Sequence, residues 1–185
     1  QEMNWDFLDV IHETLSGSED WGLIRYAGTP KSLENTIEKL WLESSQGEWA
    51  TKCPHGGCGH WNVPSIGRDL EAMIGPAHDM VSDKCPGTLC ALCQKPIDPS
   101  TGRWIHEFGD RRWDFPGYHV PQLIMPMHYA NPDKWRKLVS KKKSMAPNTF
   151  FNEVCGEGYD SGAKLVTLTE LKAAACLPWK NVAKD

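Results

Sequence analysis

The sequence predicts an α/β fold: the end of a nucleotide-binding type of sheet domain, interrupted by a small metal-stapled insert and followed by helices. Three observations carry this reading. Five of the seven cysteines fall in two tight clusters between Cys53 and Cys93, the residues before them read helix, strand, loop, helix, and the residues after them return to longer apolar periods. A chain of 185 residues, 40% hydrophobic and 24% charged, has the size and composition of one globular domain with room for an insert.

Over residues 4–15, Trp5, Leu8, Val10, Ile11 and Leu15 recur near a helical period before Ser16-Gly17-Ser18 ends the segment. Trp21 to Ala27 is an apolar, aromatic run that stops at Gly28-Thr29-Pro30, the pattern of a buried strand closed by a tight loop. Ser32 or Thr29 caps the next helix, whose Leu33, Ile37, Leu40 and Trp41 share one face as far as about Ser44. Helix, strand, glycine-threonine loop and helix in succession fit a nucleotide-binding sheet, where ligands sit beyond the carboxyl ends of strands.

From Trp49 to about Phe108, Gly and Pro punctuate short pieces. That texture suits a ribbon too small to hold a core by burial alone, one that a metal ion must stabilise. Within it, Asn62-Val63-Pro64 reads as a strand, Arg68 to Ile74 as a short helix and Gly102 to His106 as the last strand. The cysteines supply the ligands. Zn²⁺ takes four tetrahedral soft donors at about 2.3 Å from sulfur, and a sharply turned loop between two cysteines presents two thiolates to one ion. Cys90-x-x-Cys93 has the usual knuckle spacing; Cys53-x4-Cys58 is wider, with Gly56, Gly57 and Gly59 to fold it back on the ion. The predicted ligands are therefore Cys53, Cys58, Cys90 and Cys93, with Cys85 spare and His55 as the substitute. A redox pair is disfavoured, because no βαβ context surrounds Cys90-x-x-Cys93 and the second cluster would go unexplained.

After the insert, residues 117–124 have strand character up to Pro126. Asn131-Pro132-Asp133 starts a helix that buries Trp135, Leu138 and Val139 and closes on Lys141, Lys142 and Lys143, which suits the negative end of its dipole. Asn148 to Val154 begins a second helix broken by Gly156 and Gly158, and Thr167 caps a last one, Leu168 to Cys176, before Pro178. The predicted boundaries are 1–47 for the first sheet-domain segment, 48–110 for the ribbon, 111–165 for the return to the core and 166–185 for a linker helix.

Charge and absent motifs bound the function. The net charge is −4, yet residues 1–50 hold ten acids and three bases while 100–145 hold nine bases and four acids. Arg103, Arg111 and Arg112 beside Trp104 and Trp113 are candidates for phosphate contact. There is no apolar run long enough for a membrane span and no charged-then-apolar leader pattern, and clustered cysteines read as metal ligands in a reducing compartment. The chain opens at Gln1 directly into a helical pattern, as a piece of something larger would. It has no G-x-x-x-x-G-K-[ST] phosphate loop and no grouping of carboxylates that would hold two metals, so the segment itself is expected to be catalytically silent.

The order of these features resembles the large terminase subunit of tailed bacteriophages, specifically the lambda-like class whose motor domain carries a cysteine-bearing insert. The matching pieces are Tyr26-Ala27-Gly28-Thr29-Pro30, the helix with Ile37 and Trp41, Trp49 to His55, Cys90-Ala91-Leu92-Cys93, Gly102-Arg103-Trp104, Gly117-Tyr118-His119-Val120 and Thr149 to Glu157. Cys53 to Cys58 is wider than the first knuckle usual in that family, and Cys85 is extra. The resemblance implies the end of a P-loop-type ATPase domain with a zinc-ribbon insert, in which Gly28 and Thr29 form the loop coupling ATP hydrolysis to movement. It further implies that the complete parent uses ATP and Mg²⁺ to drive double-stranded DNA into a capsid, cuts the concatemer with a separate nuclease domain, and works in the host cytoplasm. Implied partners are the capsid portal, the small terminase subunit and further copies of the same chain.

Overall fold

The structure, a computed structural model, describes residues 7–18, 22–31, 36–75 and 87–159. Among them the helices are α1 (Leu8–Glu13), α2 (Thr36–Glu43), α3 (Leu70–Ile74), α4 (Pro126–Tyr129), α5 (Pro132–Ser144) and α6 (Pro147–Phe150). The strands are β1 (Gly47–Lys52), β2 (Trp61–Asn62) and β3 (Arg103–His106), paired antiparallel in the order β2-β1-β3. The fold is thus mixed helix and small antiparallel sheet.

Register in the sheet follows the aromatic residues. Trp49 lies opposite Trp104, their rings 5.0 Å apart and edge-on, and Tyr118 extends the row at 4.8 Å from Trp104. Cross-strand aromatic pairs of this kind stabilise by about 0.2–1 kcal/mol. Trp49 Nε1 also donates to the Pro99 carbonyl at 2.7 Å, fixing the ring that the sheet packs on.

Two expected strands differ from the structure. Trp21 lies outside the described residues, and 22–31 run without helix or strand, with Leu23 69% exposed. The apolar run has no strand beside it in the described residues, and its Tyr26, Ala27, Gly28 and Pro30 instead wall a cavity. The 117–124 segment pairs only at Gly47 and Tyr118, in parallel, through Gly47 N–H to the Gly117 carbonyl at 2.8 Å and His119 N–H to the Gly47 carbonyl at 2.9 Å. Pro121 then lacks an N–H to continue the ladder, and Gln122–Ile124 tighten into a 3₁₀ turn. The expected helix over 4–15 is the shorter α1, which buries Leu8 and leaves Val10 and Ile11 exposed. The expected helix at 168–176 lies outside the described residues.

α5 forms as its sequence dictates. Asn131 Oδ1 accepts from the N–H groups of Asp133 and Lys134 at 3.0 and 3.1 Å, Pro132 occupies the first turn, and Lys141–Lys143 fill the last. Its Trp135, Leu138 and Val139, spaced i, i+3, i+4, are almost completely buried. They join one core with Leu70, Met73, Ile74, Ile97, Leu123, Phe150 and Val154, and that core also takes in Cys53, Cys90 and Cys155. The cysteine knuckles and the helices after them therefore share buried surface.

The second expected helix begins one residue earlier, at Pro147, and after Phe150 widens into a π-turn, Phe151–Cys155. Gly156, at φ 70° and ψ 25°, ends it in the left-handed conformation that costs a side chain energy. This reversal directs Glu157 back toward the start of β1.

Candidate metal centre

Two backbone turns bring four sulfurs together. In the first, Cys53 N–H donates to the His60 carbonyl at 2.8 Å and Cys58 N–H to the His55 carbonyl at 3.1 Å, with Gly57 and Gly59 at positive φ. Those two glycines let a four-residue spacer fold as tightly as a shorter knuckle. In the second, Cys90 N–H donates to the Lys95 carbonyl and Gln94 N–H to the Cys90 carbonyl, both at 2.9 Å. The turns are tied to each other by Asn62, whose Nδ2 donates to the Thr51 and His60 carbonyls while its Oδ1 accepts from Ala91 N–H at 2.7 Å.

The sulfur spacing identifies the chemistry the site suits. Cys53 and Cys93 Sγ lie 3.6 Å apart, Cys58 and Cys90 Sγ 3.7 Å, and all four fall within 4.8 Å of one another. A tetrahedral ion at about 2.3 Å from each sulfur sets neighbouring sulfurs about 3.8 Å apart, whereas a disulfide needs about 2.05 Å. All four are free thiols. Burial pushes Cys53 up to about 12, the hydrogen bond from His55 N–H opposing and the other three thiols adding to the rise. At Cys90 burial opposes ionisation, but the N–H groups of Cys93 and Leu92 and the neighbouring thiols outweigh it and bring the group down to about 6. Four soft donors with one readily ionised member fit Zn²⁺, which would be held by Cys53, Cys58, Cys90 and Cys93.

The structure separates the remaining candidates. His55 stands aside from the sulfurs, its Nε2 at 2.9 Å from the Pro96 carbonyl, so that it links the two knuckles. Cys85 lies outside the described residues. Gly28 and Thr29 are exposed in the irregular 22–31 segment, so the premise of a loop at the end of a buried strand is not met there. Of the three arginines, Arg112 sits on Trp113 as expected, while Arg103 and Arg111 pack on other rings. Arg103 lies 4.4 Å from the ring centre of Trp61, a ring that Lys52 Nζ approaches at 5.9 Å. Arg112 lies 4.4 Å from the ring of Trp113, which is 79% exposed. Arg111 packs on Phe108 and donates from Nη1 to the carbonyls of Leu42 and Glu43 at the end of α2, at 3.2 and 3.4 Å, closing that helix.

Sequence reasoning missed a second constellation. His119, 8% exposed, has Nδ1 2.8 Å from Glu48 Oε2 and 4.0 Å from Glu157 Oε1, and Nε2 2.6 Å from the Cys155 carbonyl. Burial disfavours the charged ring, but Glu48, Glu157 and the Cys155 carbonyl outweigh it and raise His119 to about 9. Burial also raises Glu157, against the pull of His119 and of the Ile66 N–H that it accepts at 2.8 Å. Three distant segments supply the three side chains, so no local pattern announces them. His119 and Glu157 open onto a cavity of about 350 Å³ that Tyr26, Trp41 and Phe115 also wall.

No protein-family model, curated protein or solved structure matches the chain.

Proposed function

We propose that the four cysteines hold one structural Zn²⁺, and that the chain serves a viral DNA-packaging motor as part of a terminase large subunit. The observation that carries the zinc reading is the sulfur constellation, with contacts of 3.6 and 3.7 Å at the separation a tetrahedral zinc–thiolate centre requires. The packaging reading is supported by the order of sequence features from Tyr26 to Glu157 around that centre. In it, the zinc site braces a segment lying against the motor's ATPase core, ATP and Mg²⁺ act only in the complete parent, and Gly28 and Thr29 respond to nucleotide state. DNA is met through phosphate contacts from Arg103 and Arg112, each stacked on a tryptophan, while Arg111 holds α2 in place. The capsid portal, the small subunit and neighbouring copies are the partners of the parent.

The test has two arms. Purified, reduced protein should carry at least one equivalent of Zn²⁺ in an all-sulfur site, and finding none bound to sulfur would overturn the metal reading. Fluorescence anisotropy should show weak, sequence-insensitive binding to duplex DNA that falls steeply with salt as counterions are released. Replacing Arg103 and Arg112 together by Ala should weaken it several-fold. No binding at low ionic strength would remove DNA from the proposal.

A second reading, a zinc-bearing binding module without motor function, is favoured by one observation: Gly28-Thr29 does not follow a strand. The flanking reading frame discriminates the two. A phosphate-loop lysine upstream and nuclease acids downstream support the motor; their absence supports the module.

A further inference from the structure

We propose that Glu48, His119 and Glu157 form a second metal site, distinct from the cysteine centre, which takes a first-row divalent ion through one imidazole nitrogen and two carboxylates. The backbone converges on it from three directions. The parallel bridge between Gly47 and Tyr118 sets His119 beside Glu48, and the left-handed Gly156 turns Glu157 onto the same ring.

The hydrogen-bonding around His119 is that of a metal ligand. Histidines that bind metals characteristically donate their other ring N–H to a backbone carbonyl or carboxylate, which fixes the tautomer and aims the free nitrogen at the ion. Here Nε2 faces the Cys155 carbonyl, left without an intrahelical partner at the end of the π-turn. That leaves Nδ1 directed at the two glutamates. The Ile66 N–H holds the Glu157 carboxylate in place through Oε1, at 2.8 Å, which leaves a lone pair on that oxygen and the whole of Oε2 for an ion.

The separations fit as well. A six-coordinate, octahedral ion at about 2.1 Å from nitrogen or oxygen puts neighbouring ligands about 3.0 Å apart and opposite ones about 4.2 Å apart. The observed 2.8 and 4.0 Å from Nδ1 match those two cases, and all three ligand atoms lie within 4.8 Å of one another. Charge argues in the same direction. Two largely buried carboxylates facing one imidazolium carry a residual negative charge, whereas a dication with a neutral imidazole closes the site electrically neutral, which buried groups favour. Imidazole with two carboxylates suits Zn²⁺ or Mn²⁺ and offers nothing to the soft ions that prefer thiolate. The adjoining cavity leaves room for water or a small ligand to complete the coordination shell.

The test uses Zn²⁺ alone with the full chain. Equilibrium dialysis followed by elemental analysis should return about two equivalents for the wild type and about one for Glu157→Gln and for Glu48→Gln, the amide of the former still able to accept from Ile66 N–H. X-ray absorption should show a nitrogen/oxygen shell beside the sulfur shell in the wild type, reduced in both variants. Circular dichroism identifies any variant that has lost its fold; the wild-type stoichiometry and its nitrogen/oxygen shell then decide by themselves. One equivalent in the wild type, an all-sulfur shell, or two equivalents retained in both folded variants overturns the proposal.

Discussion

Removing the zinc ion should unfold more than the knuckles that hold it. The perturbation is chelation, or Cys90→Ser, which deletes the most buried ligand. Cys90 and Cys53 are 0% and 3% exposed and pack in the same core as Leu70, Met73, Trp135 and Leu138. Structural zinc contributes about 10–16 kcal/mol of apparent binding free energy in small sites, while a whole domain is stable by about 5–15 kcal/mol. Losing the ion therefore removes as much free energy as holds the shared core together, several times the about 2–5 kcal/mol of a Leu138→Ala truncation. Amide hydrogen exchange read by mass spectrometry distinguishes the outcomes. Peptides from α5 should lose protection together with those around Cys53–Cys58 and Cys90–Cys93. If α5 keeps its protection while the knuckle peptides exchange freely, the cysteines are a pendant staple and the shared-core argument fails.

Other outcomes follow from single contacts. Asn131→Ala should cost about 1 kcal/mol in urea unfolding, because two N–H groups at the start of α5 lose their acceptor. Gly156→Ala should cost about 1–2 kcal/mol and loosen the His119 contacts, since φ is 70° and the added methyl would lie 3.4 Å from His119 Nε2. Cys155 should resist iodoacetamide in the native protein and react only on denaturation: it is fully buried, and burial, reinforced by Glu157, pushes its thiol up to about 12. Rapid native labelling at Cys155 would contradict that placement.

What could be read from the sequence was what is written locally. α5 carries its own cap, its i, i+3, i+4 apolar spacing and its basic end, and it forms where those signals put it. The four cysteines likewise announce themselves by spacing, and the structure brings those four together. Residues 22–27 show the limit, because a short apolar run reads as a strand whether or not a partner strand exists, and here its side chains go to a cavity wall and to solvent. The pairing of β1 with β3 joins residues more than fifty apart, and Glu48, His119 and Glu157 meet only through the Gly47–Tyr118 bridge and the Gly156 turn. Such contacts follow from topology, which periodicity does not encode.

Asn62 carries a consequence for how firmly zinc is held. Its amide fastens the first knuckle to the second through bonds to Thr51, His60 and Ala91, none of which involves sulfur. The two halves of the thiolate cage are thus aligned by a side chain that needs no ion. Part of the orientational entropy cost of bringing four ligands together is then offset by bonds that involve no sulfur, which raises affinity. Weakening that tie, which His55 shares through the Pro96 carbonyl, should therefore loosen the grip on zinc without removing a single ligand.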